Sequence, residues 1–421
     1  MTFTSGWRRT TREPRAQAIR ASVAATPVDA TRPHPPRVVI IYASAGAGHH
    51  GASQELAHRL RQRGLLADCV DLADLLPYGL GRLLRGTYRG MLHRLPWLYG
   101  LLFAIAGSFR RAAPITAALL RPVWPRVLAA LPPDTRVVVS TYPVVSQILG
   151  PMRRAGRLGV PVVTYLTDFA VNPIWISPGV DLHCAAHDTT RVEARAFGAG
   201  EVRVAGRLVP GDFGPGSAAD RRRARERFGL PPDARLALLV AGSWGVGAVA
   251  RTAAEIARTG VAIPVVVCGR NAALRRRLVR RRIGYVFGWV ENMPDLLRAA
   301  DVLVENAGGL TALEAMATGL PVATYRPIPG HGRANAATMA RAGVATWVRR
   351  RAALRPTLIR LIRGAPGRRQ RAAGLALFAD DPATVVADLA RRAGEGLANP
   401  ARSTPAAPTG PRSATPSGRR D

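Results

Sequence analysis

The feature that most constrains the fold of this 421-residue chain is an alternation of short apolar runs with helical segments, which occurs twice. In the first half, β-branched runs lie at residues 37–44, 136–142, 161–168 and 201–206. In the second half, similar runs lie at residues 235–242, 263–269, 283–289, 301–309 and 320–325. Because buried strands that alternate with helices form parallel sheets, the pattern predicts an α/β fold with two doubly wound, Rossmann-like domains.

Changes in composition set the predicted domain boundaries. Residues 1–35 and 395–421 are rich in small, polar, Pro and Arg residues without hydrophobic periodicity, which predicts disordered ends. Residues 209–217 are rich in Pro and Gly, which predicts a linker between the two alternating regions. The N-terminal domain is therefore predicted over residues 36–208 and the C-terminal domain over residues 218–394.

The charge and the cysteines indicate where the chain works. The formal net charge is +33, and all 60 basic residues are arginine. Such a charge can indicate a nucleic acid or an anionic membrane, but a general bias toward arginine explains it as well. Cys69, Cys184 and Cys268 lie in apolar runs and predict free thiols in a reducing compartment. With no signal peptide and no apolar run of the roughly 20 residues that span a bilayer, we expect a cytoplasmic protein.

The first candidate motif is the turn after the opening strand, residues 44–53, with the sequence SAGAGHHGAS. Gly46 and Gly48 lie where the strand turns into a helix, at the edge of the sheet where ligands bind. His49 begins that helix and could accept a proton from a hydroxyl group, because its ordinary pKa is near 6.5. The alternative is a tight packing turn with an exposed histidine.

The second half contains two further Gly-rich turns. In residues 240–247, backbone amides and a hydroxyl at Gly242, Ser243, Gly245 and Gly247 could approach a pyrophosphate. In residues 305–322, a Gly pair precedes a helix that carries Glu314, which could bind the ribose hydroxyls of a nucleotide. The alternative for residues 240–247 is a packing turn. The alternative for Glu314 is an ordinary surface glutamate.

The sequence lacks the common motifs for metal binding and for a P-loop. It contains no D-x-D tripeptide, no HExxH and no Cys/His cluster with the spacing of metal ligands, so we expect no metal ion or other cofactor. It contains no GKS or GKT, which excludes a P-loop NTPase. A departing nucleotide diphosphate would then be neutralised by helix N-termini and arginines.

Together these segments resemble the processive-type diacylglycerol glycosyltransferases, a family that includes plant monogalactosyldiacylglycerol synthase and is related to the peptidoglycan N-acetylglucosaminyltransferase. The likeness covers about residues 38–347. The first loop is similar to a GGGHxxAA pattern, and residues 167–181 to a TD-plus-W-x-HPxVD segment, with Ser177 where histidine is usual. Residues 202–213 are similar to the family's domain-crossing segment, and residues 287–322 match a long family pattern closely.

The resemblance implies the GT-B fold, in which two Rossmann-like domains face each other across a cleft. It also implies a UDP-sugar donor, inversion at the anomeric carbon and no metal requirement. By matching position, His49 would be the base or an orienting group, Asp168 would assist at the acceptor, and Glu314 would bind the ribose. The implied phosphate cradle consists of Gly308, Gly309 and Thr311.

One loop departs from the family pattern. The family's PGQExxN loop contacts the donor sugar and phosphates, and it reads PGHGRAN here, over residues 329–335. His331 and Gly332 replace the Gln-Glu pair, whereas Asn335 is kept. We expect His331 and Asn335 to contact the donor, and the identity of the sugar remains open.

The acceptor is suggested by an apolar segment, residues 92–111, that is flanked by arginines and contains Trp97, Tyr99 and Phe103. It is too short to span a bilayer but could lie in a membrane interface, with its arginines on anionic phosphates. The alternative is an ordinary core helix. In the resembling lipid enzymes the equivalent region touches the membrane, so the resemblance favours membrane contact. It implies peripheral association with the inner face of the plasma membrane.

The sequence therefore predicts transfer of a sugar from a UDP-sugar to a hydroxyl group, with a diacylglycerol-type lipid or another hydrophobic molecule as the acceptor. Two enzymatic alternatives stay open, namely transfer to a soluble metabolite and epimerisation of a UDP-sugar. A basic protein that binds nucleic acid through clusters such as residues 221–227 is the non-enzymatic alternative. We expect no specific nucleic-acid partner, because no aromatic stacking motif accompanies those arginines.

Overall fold

The computed structural model describes residues 35–44, 47–77, 81, 118–240, 242–243 and 245–398. Within these ranges the chain forms two parallel six-stranded sheets with helices packed on both faces. Most of the two segments predicted to be disordered lies outside the described residues. The final helix, however, continues to Ala398 and so enters the range predicted as a disordered tail.

The first sheet has the strand order β2-β1-β3-β4-β5-β6, and all its neighbouring strands are parallel. Its strands are β1 Arg37–Tyr42, β2 Leu66–Asp71, β3 Thr135–Ser140, β4 Val162–Tyr165, β5 Leu182–Ala185 and β6 Val202–Val204. Successive side chains of β1 enter opposite cores, Val38 and Ile40 on one face, Val39 and Ile41 on the other. This burial on both faces explains why β1 is a continuous apolar run.

The second sheet has the order β12-β11-β10-β7-β8-β9 and is also parallel. Its strands are β7 Leu236–Val240, β8 Ile263–Val267, β9 Tyr285–Phe287, β10 Val302–Glu305, β11 Val322–Tyr325 and β12 Thr346–Val348. In both sheets the strand order reverses beside the first strand of the domain. Ligands bind at such reversals, outside the carboxyl ends of the strands.

The helices connect the strands in the alternating order that the sequence predicts. On the first sheet they are α1 Ala47–Gln62, α2 Leu72–Leu75, α3 Trp124–Ala129, α4 Pro143–Arg154 and α5 Asp188–Ala196. In the second half they are α6 Ala218–Arg227, α7 Val249–Arg258, α8 Ala272–Arg280, α9 Met293–Ala299, α10 Leu310–Ala317, α11 His331–Arg341, α12 Leu354–Arg363, α13 Ala365–Ala376 and α14 Pro382–Ala398. The predicted fold class, α/β with two doubly wound sheets, is confirmed.

The last helix does not stay with the second sheet. Ala383, Val386, Ala387 and Ala390 of α14 are buried in the core of the first sheet. The predicted C-terminal domain range, residues 218–394, therefore contains a helix that packs on the N-terminal sheet. Nothing in the local periodicity of α14 indicates which sheet its apolar face will cover, because either core would bury it.

Three strands were not predicted from the sequence, β2, β5 and β12. The sequence of β2, LADCVD, contains two aspartates, and β5 and β12 have only four and three residues. Such segments carry little hydrophobic signal, and their backbone hydrogen bonds to longer neighbours define them. All three cysteines are free as predicted; Cys184 and Cys268 are buried, and Cys69 is half-buried.

Candidate active site

A cavity of about 470 Å³ lies at the carboxyl edge of the second sheet. It is lined by residues that follow β7, β8, β9 and β10, together with Gly48 of α1 and His331 of α11. The cavity therefore combines loops of the second sheet with the first turn of the helix that follows β1. This is the position at which ligands bind to open α/β sheets.

The Gly-rich turn after β7 is held in a shape that requires glycine. Gly242, Gly245 and Gly247 have φ angles of 64°, 67° and 97°, a region that strongly favours glycine. Gly242 and Ser243 line the cavity, whereas Gly245 and Gly247 are not among its lining residues. A β-carbon at Gly247 would collide with Asn306 Nδ2, which donates a hydrogen bond to the carbonyl of Val246. Gly245 and Gly247 thus shape the turn, while Gly242 and Ser243 face the cavity.

The turn after β10 is organised by a buried carboxylate. Glu305 accepts a hydrogen bond from the Ala307 amide at 2.6 Å, and further hydrogen bonds from the Gly308 amide and the Thr324 hydroxyl. The Gly308 amide, which belongs to the phosphate cradle that the resemblance implies, is therefore already engaged. The amides that remain available to a phosphate are those of Gly309 and of the first residues of α10, because the amides that begin a helix have no partners within it.

Gly308 has a different task from the one predicted. Its φ angle is +67°, and a β-carbon there would lie 2.6 Å from Asn335 Cβ and 2.8 Å from Met339 Cε. A larger residue would collide with α11 and be strained as well. Gly308 therefore allows the β10 turn to approach α11, which carries His331 and Asn335.

Glu314, one turn into α10, lines the cavity, and its carboxylate makes no hydrogen bond with the described part of the chain. Burial, with a smaller contribution from the charge of Asp212, raises its pKa to about 7. An enclosed acid without a hydrogen-bond donor is costly in the ligand-free protein. Ligand hydroxyl groups would supply the missing donors.

His49 has a defined orientation at the start of α1. Its Nδ1 lies 2.9 Å from the Thr141 carbonyl oxygen and 3.0 Å from Thr167 Oγ1. Because a carbonyl oxygen can only accept, we assign the proton of the neutral ring to Nδ1, which leaves Nε2 with a lone pair. Burial lowers the pKa of His49, and the nearby charge of Asp168 opposes that shift. The ring is thus kept in the form that a general base requires.

The first turns of α1 and α10 lie against each other. A β-carbon at Gly51 would lie 3.3 Å from Leu310 Cδ2, and one at Gly48 3.9 Å from Leu310 Cβ. Glycine on α1 therefore permits a close approach of two helix N-termini at the cavity. Because each N-terminus carries a partial positive charge, the pair favours an anion between them.

Asp168 and Asn335 connect the two halves beside the cavity. Asn335 Oδ1 accepts a hydrogen bond from the Ala170 amide at 2.9 Å, and its Nδ2 donates to the Ala307 carbonyl at 3.2 Å. A longer contact of 3.4 Å joins Nδ2 to Asp168 Oδ1. Asn335 is therefore buried in contacts between protein segments, rather than facing the donor as predicted from the loop pattern.

His331 lies at the start of α11 and lines the cavity. Burial lowers its pKa; the charge of Asp168 opposes the shift, and His49 adds to it. His49, Asp168 and His331, which are far apart in the sequence, are thus close enough for their charges to interact.

Sequence reasoning missed Glu305, Thr167 and Trp289. Glu305 ends an apolar strand, and a charge in such a place is the signal that could have singled it out. Trp289 follows β9, is 54% exposed and lines the cavity, with the Arg270 guanidinium 4.7 Å from the centre of its ring. Thr167 has no local signal, because only the fold brings it to His49.

Some predicted site residues fall outside the described residues. Gly46 lies in the gap between the described residues 44 and 47, and Trp97, Tyr99 and Phe103 lie in the gap of residues 82–117. Within the described ranges, no three His, Cys, Asp or Glu side chains are grouped as metal ligands. Nor does any described helix combine the length and apolarity needed to cross a bilayer.

Comparison with known proteins agrees with this geometry. Residues 49–206 match the family model for monogalactosyldiacylglycerol (MGDG) synthase, and residues 238–362 match the model for glycosyl transferases group 1. Processive diacylglycerol beta-glucosyltransferases of Bacillus thuringiensis (strain Al Hakam) and Bacillus cereus (strain AH820) are 27% identical over 339 residues, which cover 75% of this chain and 82% of each relative.

Solved structures show the same fold. MurG of Acinetobacter baumannii superposes with a TM-score of 0.51 at 18% identity, covering 85% of this chain and 100% of that one. The glycosyltransferase of kitacinnamycin superposes with a TM-score of 0.52 at 14% identity, covering 86% and 100%. The predicted resemblance and the predicted enzyme class are confirmed: this chain is a glycosyltransferase of the GT-B fold, similar in sequence to the monogalactosyldiacylglycerol synthase family model and to the processive diacylglycerol beta-glucosyltransferases.

Proposed function

We propose that this enzyme transfers a sugar from a UDP-sugar to the hydroxyl group of a diacylglycerol-type lipid, with inversion and without a metal ion. The observation that carries the proposal is the composition of one cavity. Its walls include the carboxylate of Glu314, which has no hydrogen bond from the described residues, the N-terminus of α10, and Gly48, which adjoins His49. A nucleotide diphosphate and an attacking hydroxyl group need these groups at neighbouring positions.

The donor half of the proposal assigns one group to each part of UDP. Glu314 accepts hydrogen bonds from the ribose hydroxyls, and the first amides of α10 bind the diphosphate. The exposed ring of Trp289 offers a face on which a base can stack. The adjoining N-terminus of α1 adds positive potential, so helix ends can neutralise the leaving group without a bound cation.

The chemical step is a single displacement. Nε2 of His49 takes the proton of the acceptor hydroxyl as the oxygen forms a bond to the anomeric carbon. The bond between that carbon and the β-phosphate oxygen breaks at the same time, and UDP leaves with the electron pair. The charge of Asp168 stabilises the imidazolium. Attack from the side opposite the leaving group inverts the anomeric centre.

The lipid acceptor comes to this chain from its relatives, which are named for diacylglycerol. The segment with Trp97, Tyr99 and Phe103 would lie at headgroup level, and the charge of +33 would favour an anionic, cytoplasm-facing surface. Donor and acceptor would then meet at the membrane, with the nucleotide supplied from the cytoplasm.

The test uses the full-length chain with UDP-glucose or UDP-galactose and vesicles of phosphatidylcholine, phosphatidylglycerol and diacylglycerol. We expect a glycosyl-diacylglycerol with an inverted anomeric carbon, detected by mass spectrometry and NMR, and undiminished by EDTA. Omitting diacylglycerol should leave the UDP-sugar unchanged. Conversion of the donor alone would instead support epimerisation, and transfer only to water-soluble alcohols would contradict the lipid acceptor.

A further inference from the structure

Arg207 lies in the segment that leaves the first sheet after β6, and its side chain is 0% exposed. Its Nη1 donates hydrogen bonds to the carbonyl oxygens of Leu166 at 3.1 Å and Thr167 at 2.7 Å. The guanidinium also lies over the ring of Phe169, 4.3 Å from its centre. One arginine thus contacts the loop that follows β4 at three of four successive residues.

The bonding of Arg207 is incomplete. Its Nε and Nη2 are buried and have no hydrogen-bond partner among the residues that the structure describes. Arg225, in α6, shows that this chain can satisfy a buried arginine. Its Nε donates to the Ala299 carbonyl at 3.0 Å, its Nη1 to the Pro231 carbonyl at 3.1 Å, and its Nη2 to Asp301 at 3.1 Å. A buried guanidinium that leaves two groups unpaired is unusual and needs an explanation.

The charges around Arg207 belong to the candidate active site. Burial lowers the pKa of Arg207, and Tyr165 and Asp168 oppose that shift. Asp168 is the carboxylate that also acts on His49 and His331. The buried cation is therefore near enough to interact with the acid that also influences both histidines.

The loop that Arg207 contacts reaches His49 directly. The Thr167 carbonyl oxygen accepts a hydrogen bond from Arg207 Nη1, and the Thr167 hydroxyl lies 3.0 Å from His49 Nδ1. Asp168 follows in the chain and contacts Asn335 Nδ2 at 3.4 Å. A shift of this loop would move the Thr167 hydroxyl and the Asp168 carboxylate relative to His49.

We propose that Arg207 is a positioning residue for sugar transfer, which holds the loop of residues 166–169 so that Thr167 and Asp168 face His49. The inference rests on the proposed function, because it assigns His49 as the base. The structure accommodates the unsatisfied Nε and Nη2 because the two hydrogen bonds from Nη1 fix the loop. Arg207 itself does not touch the substrate.

The test is a double-mutant cycle with Arg207→Met and Thr167→Val, measured with UDP-glucose and diacylglycerol vesicles. We expect Arg207→Met to lower kcat by about tenfold to a hundredfold, because misplaced catalytic groups cost this much. KM for UDP-glucose should stay within about twofold, since the cavity of the second sheet is untouched. Adding Thr167→Val should then have little further effect, because the loop has already lost its position.

Arg225→Met is the matched control, since it also removes a buried arginine. It should lower the melting temperature but keep kcat, and its effect should multiply with that of Thr167→Val. If Arg207→Met does not fold, Arg207→Lys retains the charge, loses the fork and enters the same cycle. A folded Arg207 variant with wild-type kcat, or effects of Arg207 and Thr167 that multiply, would overturn the proposal.

A readout without activity separates this inference from the proposed function. Long-range ¹H–¹⁵N NMR reports the tautomer of His49, with the signal assigned by its loss in His49→Ala. We expect the Nδ1–H form in the wild type and in Arg225→Met, and a mixture of tautomers in Arg207→Met. An unaltered His49 signal in Arg207→Met would overturn the positioning role. Absence of transfer by the wild type, with the tautomer shift still present, would contradict only the proposed function.

Discussion

The turns that open the two sheets use polar groups in opposite ways. In the first half, His49 is held by hydrogen bonds to Thr141 and Thr167, and its orientation is fixed before any ligand arrives. In the second half, Glu314 faces the cavity without a hydrogen bond from the described residues. The difference is consistent with proton transfer in the first half and ligand binding in the second. A general base must be oriented before the reaction, whereas a binding group can obtain its hydrogen bonds from the ligand.

Removing His49 gives the largest effect that we expect. His49→Ala should lower kcat by about 10² to 10⁴-fold, the usual contribution of a general base, while UDP affinity measured by calorimetry stays unchanged. His50→Ala is the control, because His50 is adjacent and exposed, with its ring beside that of Tyr42. Loss of UDP affinity in His49→Ala would place the histidine on the binding side of the comparison.

Acid should destabilise the first half. His183 in β5 is 1% exposed, and neither of its ring nitrogens has a hydrogen-bond partner within the described part of the chain. Burial lowers its pKa to about 4 from 6.5. A folded-state pKa below the unfolded one means that stability is complete above pH 6.5 and is lost as the pH falls toward 4. The loss can reach about 3 kcal/mol, since each pKa unit corresponds to about 1.4 kcal/mol.

Urea denaturation at several pH values measures this effect. His183→Leu should remove most of the decline in the free energy of unfolding between pH 6.5 and pH 4. His58→Gln, at an exposed position of α1, should leave the decline as it is. An unchanged acid profile in His183→Leu would show that other groups control it.

The opposite pH dependence is expected in the second half. The pKa of Glu314 is raised from 4.5 to about 7, so its ionisation destabilises the fold as the pH rises through this interval. Glu314→Gln should therefore raise the free energy of unfolding of the ligand-free protein at pH 8, by about 2 kcal/mol after allowance for partial exposure. The two proteins should be equally stable at pH 4.5, and equal stability at pH 8 would contradict the unpaired state of this acid.

The smallest expected effect is on donor affinity. Glu314→Gln should weaken UDP-glucose binding by about tenfold, the value of a hydrogen bond to a charged group. Wild-type affinity should rise between pH 6 and pH 8 as Glu314 ionises, whereas the variant should show no such rise. UDP-glucose suits this test because its diphosphate has no group that titrates near neutrality. Glu226→Gln, exposed on α6, serves as the control, and a wild-type affinity that does not vary with pH would contradict the ribose role.

Much of the fold followed from local pattern. Nine strands produced recognisable apolar runs, most of them because they are buried on both faces, as the split of β1 between two cores shows. The runs failed at β2, β5 and β12, which are short or interrupted by aspartate. The packing of α14 on the first sheet could not be predicted either, because an apolar helix face does not indicate which core it will cover.

The candidate site followed less completely. Gly48, Gly242, Ser243, Gly309, Thr311, Glu314 and His331 all line one cavity, as their positions after strands predict. The amide of Gly308 is engaged by Glu305, and Asn335 bonds to the neighbouring loop. Sequence patterns locate a turn but do not show which of its amides are already used. The roles of the site residues remain predictions that the substitutions above test.

The sequence by itself determined the α/β class, the two sheets and the turns at which a ligand can bind, because strand burial and glycine conformation are local properties of the chain. Tertiary structure decided which groups at those turns are available. Glu305 and Glu314 lie nine residues apart, yet Glu305 accepts three hydrogen bonds and Glu314 accepts none from the described residues. Arg207 and Arg225 differ in the same way. Partners that satisfy a buried polar group come from distant parts of the chain, so only the fold determines whether that group is structural or free to act.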